Sequence, residues 1–377
     1  MIIHKRILFL ESLVILISSC KKEAHSKVAP VNTIDTSKIE NPIYSAKTYN
    51  QKAYFVYNLI SKYYSVPVTD FFLENYPKGT GDRLVAYMWY YSGVVTGIGM
   101  LRQLDYQYTS FNKVDRGIDK YWSNINNLAG VKSYPPSYGG GTRFYDDNAI
   151  IGLDYLENYQ ATQNQHYLDQ AIKCMDFDFT GESNDCDGGI FWNENERTPG
   201  TSNYIKATCS SAFSNTLALK LYQITSQSKY LDFAKRMYGW IKLKLQDPAD
   251  LIYWNDVAIA NCTTNKTKWD YNSGAMLSNA VLLYKETGDQ QYLNDAKQLA
   301  SATFNYFTVS SDKVGRQFPD HDPWFTTVLF RGYPAFYEID PDKNTGFIKA
   351  MIKNVDYAWL NARNYLGFFS KIGTLQS

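Results

Sequence analysis

Histidine is scarce in this chain of 377 residues, which holds four: His4, His25, His166 and His321. The first two fall ahead of the folded body, which is left with two that lie far apart in sequence. A zinc site of the ordinary His/Cys type and a Ser-His-Asp hydrolase both need imidazoles that are not there. Asp320-His321-Asp322 could hold a metal, but it reads better as a solvated loop ahead of a helix, and neither a metal nor another cofactor is expected. A charge excess is also lacking, with Lys+Arg 38 against Asp+Glu 37 and a net charge of +1. That balance gives no reason to expect nucleic acid or an anionic membrane surface as partner. Among the five cysteines no C-x-x-C pair occurs, so zinc and redox motifs find no support. Cys174, Cys186, Cys209 and Cys262 can be free buried thiols or form one or two disulfides; their spacing leaves both open. Any acid–base chemistry must then run on carboxylates.

What is present begins with a leader. His4-Lys5-Arg6 is followed by a mostly apolar run from Ile7 to Ile17, interrupted by Glu11 and too short to span a bilayer. The run ends in Ile17-Ser18-Ser19-Cys20, which resembles a bacterial lipoprotein signal. Residues 1–19 would be removed and Cys20 would become the lipidated first residue; an ordinary signal peptide cleaved nearby is the alternative. The expectation is an outer-membrane lipoprotein of a Gram-negative bacterium, on the cell surface or the periplasmic face. It would be a monomer that touches the membrane by its lipid anchor only. Residues 20–43 are polar and Pro-containing, which predicts a tether.

From there the pattern is helical almost throughout, and the fold class is all-α. Helices are predicted near 45–64, 84–104, 109–127, 147–161, 165–180, 205–226, 228–246, 272–288, 290–308, 323–339 and 344–363. No alternating strand pattern of useful length appears. The domain is placed at 44–364, with 365–377 as a tail.

An internal repeat organises these helices. Tyr159-x2-Thr162-x4-Tyr167-Leu168-x2-Ala171 recurs from Tyr222 through Thr225, Tyr230 and Leu231 to Ala234, and again from Tyr284 through Thr287, Tyr292 and Leu293 to Ala296. The spacings are 63 (167 to 230) and 62 (230 to 292), with weaker echoes at Phe111-Asn112 and Phe347-Ile348. Each unit is a helix, a tight turn and a second helix, in which Tyr and Leu pack back and Ala permits close crossing. The period exceeds the ~34–47 residues of solenoid helix pairs, and the extra length lies before the first helix of each unit, at 132–145, 179–204 and 247–270. Loops lengthened at one position per repeat are where a binding site is expected.

Counting back 20 from each repeat tyrosine gives Asp147, Ser210 and Asn272; counting back 21 gives Asp146, Cys209 and Tyr271. If the hairpins curl into a closed ring, all these positions line one polar cleft. Asp146 and Asp147 then become candidate catalytic residues. As structure alone, they would be a helix cap and a first-turn acid. As chemistry, two carboxylates suffice to hydrolyse a glycosidic bond, one attacking and one protonating the leaving oxygen. Close charges push their ionisations apart, so that one stays protonated. Asp146 is assigned as nucleophile and Asp147 as acid/base.

The run Tyr145-Asp146-Asp147-Asn148-Ala149-x2-Gly152-Leu153 resembles the catalytic signature of glycoside hydrolase family 76, the α-1,6-mannanases. Asp187-Gly188-Gly189-Ile190-Phe191-Trp192 resembles the family's Gly-Gly-Ile-x-Trp. Trp269-Asp270-Tyr271-Asn272-Ser273-Gly274 resembles its Trp-Thr-Tyr-Asn-Gln-Gly, and Phe330-Arg331-Gly332 its Phe-Lys-Gly. The likeness covers roughly residues 80–365. It implies an (α/α)6 barrel and retaining endo-cleavage of α-1,6-linked mannose backbones without a metal, with the adjacent aspartates as nucleophile and acid/base. Its partner would be an α-mannan polysaccharide or oligosaccharide. Two departures stand out. Where the family shows Lys-Asn-Ala-x-x-Asn, this chain has Lys206-Ala207-Thr208-Cys209-Ser210-Ser211, and Asp270 replaces the Thr before Tyr-Asn. Eleven helices are also one short of twelve, so the ring is expected to be short at its C-terminus or left open, without its last inner helix.

Other positions carry two readings each. Trp89 could be a stacking platform for sugar or a core aromatic, and Tyr145 a sugar contact or loop packing. Trp192 could line the cleft or belong to a short strand entered through the Gly188-Gly189 turn. Tyr271 and Asn272 sit at a helix start in the mouth and are taken as substrate contacts. Asp256 reads as a solvated loop acid, and Arg331 as a structural residue paired with a carboxylate. Two other functions compete with mannan hydrolysis. One is a different chemistry on the same ring, such as epimerisation, which leans on histidines this body lacks. The other is a non-catalytic glycan-binding lipoprotein, which the altered 206–211 stretch favours and the intact acid pair opposes.

Overall fold

A computed structural model describes residues 48–104, 111–319, 322–364 and 366–369. The leader 1–19, Cys20, the tether 20–43, His321 and most of the 365–377 tail lie outside the described residues. Among the described residues there are eleven α-helices: α1 (Tyr49–Tyr64), α2 (Met88–Arg102), α3 (Asn112–Ile118), α4 (Tyr145–Thr162), α5 (Gln165–Phe179), α6 (Thr208–Thr225), α7 (Ser228–Leu245), α8 (Asp270–Thr287), α9 (Gln290–Phe307), α10 (Pro323–Ile339) and α11 (Gly346–Asn361).

They alternate between two layers. The even-numbered helices pack side by side in the order α2, α4, α6, α8, α10 and form the inner wall. Their composition fits that place. Every residue of α4 from Tyr145 to Asn158 is buried, so the helix has no solvent face. The odd-numbered helices are amphipathic. Helix α9 buries Leu293, Ala296, Leu299, Ala300, Thr303 and Phe307, a single stripe at helical spacing. The architecture is the (α/α)6 toroid, with five inner helices among the described residues.

The repeat has a local cause. Thr162, Thr225 and Thr287 each donate a hydroxyl hydrogen bond back to the carbonyl four residues earlier. Each hydroxyl also accepts from the backbone N–H two residues ahead. The residue after each threonine turns left-handed, at Gln163, Ser226 and Gly288 (φ 58°, 56° and 69°), and accepts the stop. The alanines Ala171, Ala234 and Ala296 are fully buried where the outer helix crosses the inner one.

The first and last helices meet. Asp356 of α11 accepts from Tyr49 Oη (2.8 Å) and Lys52 Nζ (3.1 Å) of α1. Arg363 stacks over Trp359 at 3.9 Å, and Phe368 packs edge-on against Tyr63 and Tyr64. Inside the ring Trp89 of α2 lies 4.4 Å from Trp324 of α10.

Two expectations need correction. The helix placed over 109–127 stops at Ile118; a hairpin follows, β1 (Trp122–Ile125) pairing with β2 (Leu128–Val131). Asn126 and Asn127 at its tip both have positive φ (53° and 62°), the geometry a two-residue hairpin turn requires and Asn tolerates. The sequence offers only one short strand, as an alternative at 188–192, yet the long connections fold into short antiparallel sheets. β3 (Ile205–Ala207), β4 (Trp254–Ala258) and β5 (Thr263–Lys268) form one in that order, and β6 (Val309–Ser311) pairs with β7 (Gly315–Gln317). The all-α assignment holds for the ring, and the sheets are trim on its lengthened loops.

Candidate active site

The acids lie at the entrance of α4. Phe144 caps the helix with an extended backbone and no side-chain hydrogen bond, which places Asp146 and Asp147 in the first turn rather than at the cap. Unsatisfied N–H groups and the helix dipole favour negative charge there. Neighbouring loops are tied to this entrance. Tyr145 N–H donates to the Trp192 carbonyl at 3.0 Å. Arg143, buried, grips Glu194 in a fork at 2.9 and 2.5 Å. Asn148, wholly buried, accepts from Val131 N–H (2.8 Å) and donates to the Val131 and Phe144 carbonyls, stapling β2 to the helix.

The two carboxyls have unequal surroundings. Asp146 Oδ2 accepts from the Trp192 indole N–H (3.2 Å) and the Cys209 thiol (3.3 Å), while Oδ1 accepts from Asp147 N–H (3.1 Å). Among the described residues no hydrogen bond reaches the Asp147 carboxyl. Asp146 is 7% exposed and Asp147 6%. Burial raises both pKa values above the ordinary carboxylate range. The donors on Asp146 oppose its rise, whereas the charge of Asp146 adds to that of Asp147, which goes up much further. The pair is thus poised to share one proton, held on Asp147. A third buried carboxyl stands behind them: Asp178, at the end of α5, accepts from Ser214 Oγ at 2.9 Å and is also driven well up by burial.

The other sequence candidates divide. Trp192 is half-buried and touches Asp146 directly. Trp89 is half-buried against Trp324 and Phe325. Tyr271, 9% exposed, lies 4.4 Å from Phe325 and joins Phe213 and Trp324 in an aromatic floor across the ring. Below that floor is a hollow of about 380 Å³, with Arg331, Glu157 and Lys220 in its wall. Two expected sugar contacts are corrected. Tyr145 is fully buried, stacked on Phe177 at 4.7 Å with its hydroxyl accepting from Arg197 at 3.1 Å, and it offers no surface to a ligand. Asn272 is also fully buried, and its side-chain N–H donates to Asn255 Oδ1 at 3.3 Å. Asp256 is not a solvated loop acid; it is buried in β4 and accepts from the Asn255 and Asn265 amides at 2.8 Å each. Arg331 does pair with a carboxylate, Glu157, at 2.7 Å. Asp270 is fully buried and accepts from Thr326 Oγ1 at 2.9 Å.

The repeat arithmetic holds at the centre. Asp146 and Cys209 occupy equivalent positions in successive units, and their side chains touch. What the sequence did not single out is the scaffold of the Trp192 loop. Lys206 Nζ donates to three carbonyls, of Ser183, Asp185 and Gly188, at 2.6–2.8 Å. A disulfide joins Cys186 to Cys262, while Cys174 and Cys209 are free and buried. Lys206 grips the Trp192 loop from β3, and its only signal in the sequence is that it opens the stretch departing from the family motif. Among the described residues no group of three or more His, Cys, Asp or Glu side chains is placed to hold a metal ion.

Comparison with known proteins agrees with this geometry. The family model described as glycosyl hydrolase family 76 matches residues 48–362. A mannan endo-1,6-α-mannosidase of Candida glabrata is 28% identical over 254 residues, covering 63% of this chain and 54% of that protein. The chain spans about half the length of the curated relatives it matches. A crystal structure of a family 76 glycoside hydrolase from a bovine Bacteroides thetaiotaomicron strain superposes with a TM-score of 0.79 at 28% identity, over 89% of this chain and 74% of that one. An inactive variant of an α-1,6-mannanase from Salegentibacter sp. HEL1_6, in complex with α-1,6-mannotriose, shares the fold at 20% identity and a TM-score of 0.66, over 83% of this chain and 88% of that one. The chain is a member of glycosyl hydrolase family 76.

Proposed function

We propose that this protein is a retaining, endo-acting hydrolase of α-1,6-mannosidic linkages in mannan, with Asp146 as nucleophile and Asp147 as acid/base. The observation that carries the reading is the asymmetry of two adjacent buried carboxyls, one receiving three hydrogen bonds and the other none among the described residues. Donors stabilise the anion, so Asp146 carries the charge and Asp147 the proton. In the first step Asp146 attacks the anomeric carbon, the bond to the leaving oxygen breaks, and the Asp147 proton passes to that oxygen. In the second step Asp147 takes a proton from water, the water oxygen bonds to the anomeric carbon, and Asp146 is released. Configuration is inverted twice and so retained. The half-buried Trp192 and Trp89 supply flat apolar faces on which a pyranose ring can stack. The 28% identity with the mannan endo-1,6-α-mannosidase of Candida glabrata supports the choice of linkage. A binding-only protein would have no use for two buried acids in opposite protonation states, so that alternative is not favoured.

The test is incubation of the purified protein with linear α-1,6-mannan. A mixture of oligosaccharides is expected, the first of them α-configured at the new reducing end. Asp146→Asn and Asp147→Asn should each lose about a thousandfold or more in rate. Equal release by wild type and both variants would end the proposal.

Location is a further part of the proposal: a lipoprotein of the outer membrane, anchored through Cys20 and acting as a monomer. Its support is the leader sequence and the Cys186–Cys262 disulfide, which suits an oxidising compartment. Cys20→Ala should move the protein from the membrane fraction to the soluble one.

A further inference from the structure

We infer that Cys209 is a positioning residue of the acid pair: its thiol, donating to Asp146 Oδ2, helps hold the charge on Asp146 and the proton on Asp147. The inference rests on the hydrolase reading above. Its ground is geometric. Cys209 is the second residue of α6, and the turn around it is pinned on both sides. Thr208 Oγ1 donates to the Trp254 carbonyl at 2.6 Å, and Ser211 Oγ accepts from Ile190 N–H at 3.1 Å. That fixes where the Cys209 side chain leaves the helix, and it leaves toward Asp146, at 3.3 Å. Trp192 reaches the same oxygen from another loop. Two donors converging on one oxygen from separate elements are a built feature.

A thiol can serve only while it keeps its hydrogen. Burial, and then the charge of Asp146, push the Cys209 thiol well above the ordinary thiol range. The dependence is mutual: Asp146 keeps Cys209 protonated, and the protonated thiol steadies the Asp146 anion. It also accounts for a free thiol persisting in a chain that forms a disulfide elsewhere, since the thiolate is the form that oxidises.

The experiment compares wild type with Cys209→Ala and Cys209→Ser in kcat/KM against pH on α-1,6-mannan. Asp146 must be anionic, so its ionisation sets the acid limb. Removing a donor destabilises that anion, and the acid limb of Cys209→Ala should move to higher pH by roughly half a unit or more. Cys209→Ser restores a donor and should bring the limb back toward wild type. An Ala limb that coincides with wild type, or a Ser limb that stays with Ala, would overturn the inference, because a purely packing role would leave the limb in place. A second readout needs no activity: the rate at which iodoacetamide alkylates Cys209 in the folded protein, followed by mass spectrometry. Asp146→Asn removes the charge that holds the thiol protonated, so alkylation should speed up several-fold at pH 8, and an unchanged rate would count against the pairing. If wild type does not cleave mannan while the alkylation rate responds, the pairing stands and the hydrolase reading fails.

Discussion

Trp192 and Asp146 stand 46 residues apart in sequence, and the indole N–H of one ends 3.2 Å from the carboxylate of the other. The contact depends on a loop with little regular structure of its own, held by the Arg143–Glu194 fork, the three-carbonyl grip of Lys206 and the Cys186–Cys262 bond. Trp192→Phe keeps the ring and deletes the donor. A hydrogen bond to a charged group is worth ~1.5–3 kcal/mol, so kcat/KM near the optimum should fall about tenfold or more, with the acid limb displaced upward. Thermal melts of this variant should fall by a few degrees at most, too little to unfold the protein at assay temperature.

Asp147 is an expense to the fold. Its pKa is raised by burial and by Asp146, so the folded state binds its proton more tightly than the unfolded chain does. Stability from this group is fully present below the ordinary carboxylate value of 3.8 and is lost as pH rises through the higher folded value. Asp147→Asn has no such slope. At pH 7 the variant should melt roughly 2 °C or more above wild type, and the gain should shrink toward pH 4. Calorimetry at the two pH values checks this.

The disulfide closes a loop of 76 residues, for which chain entropy gives on the order of 4 kcal/mol. Replacing Cys186 and Cys262 together by Ser should lower stability by about 2–4 kcal/mol in denaturant titration. Reducing agent should destabilise wild type to the same extent and leave the double variant unmoved. Because Cys186 opens the stretch that ends at Trp192, activity should fall at temperatures where the ring is still folded.

Helix α8 packs its Gly274 directly against the backbone of α10. A β-carbon there would lie 2.5 Å from the Leu329 Cα, a backbone atom that cannot step aside. Gly274→Ala should cost on the order of 3 kcal/mol and loosen the floor residues Tyr271 and Trp324. Urea unfolding measures the first effect; a shift in tryptophan emission reports the second.

Much of this was legible in the sequence because helix periodicity and the threonine stops are local signals. The helix pairs, the lengthened loops and the alignment of Asp146 with Cys209 followed from counting, while the closed ring was what the family resemblance implied. The errors have local causes too. Tyr145 and Asn272 directly flank residues that face the site, but adjacent helical side chains point about 100° apart, and both turn into the walls. The β1–β2 turn was signalled by Asn126-Asn127 and hidden by the helical pattern before it. Neither the disulfide partners nor the Lys206 cage could be read, since both join segments whose separation is set by the ring and by nothing local.

The ring is closed by its two ends: α1 meets α11, and Trp89, from the first inner helix, rests on Trp324, from the fifth. During synthesis the N-terminal half therefore emerges with one side of the active-site floor missing, and its acids face an unfinished trough. Only when α10 and α11 leave the ribosome does the cleft gain its far wall, so the pocket around Asp146 and Asp147 is completed in a single late step.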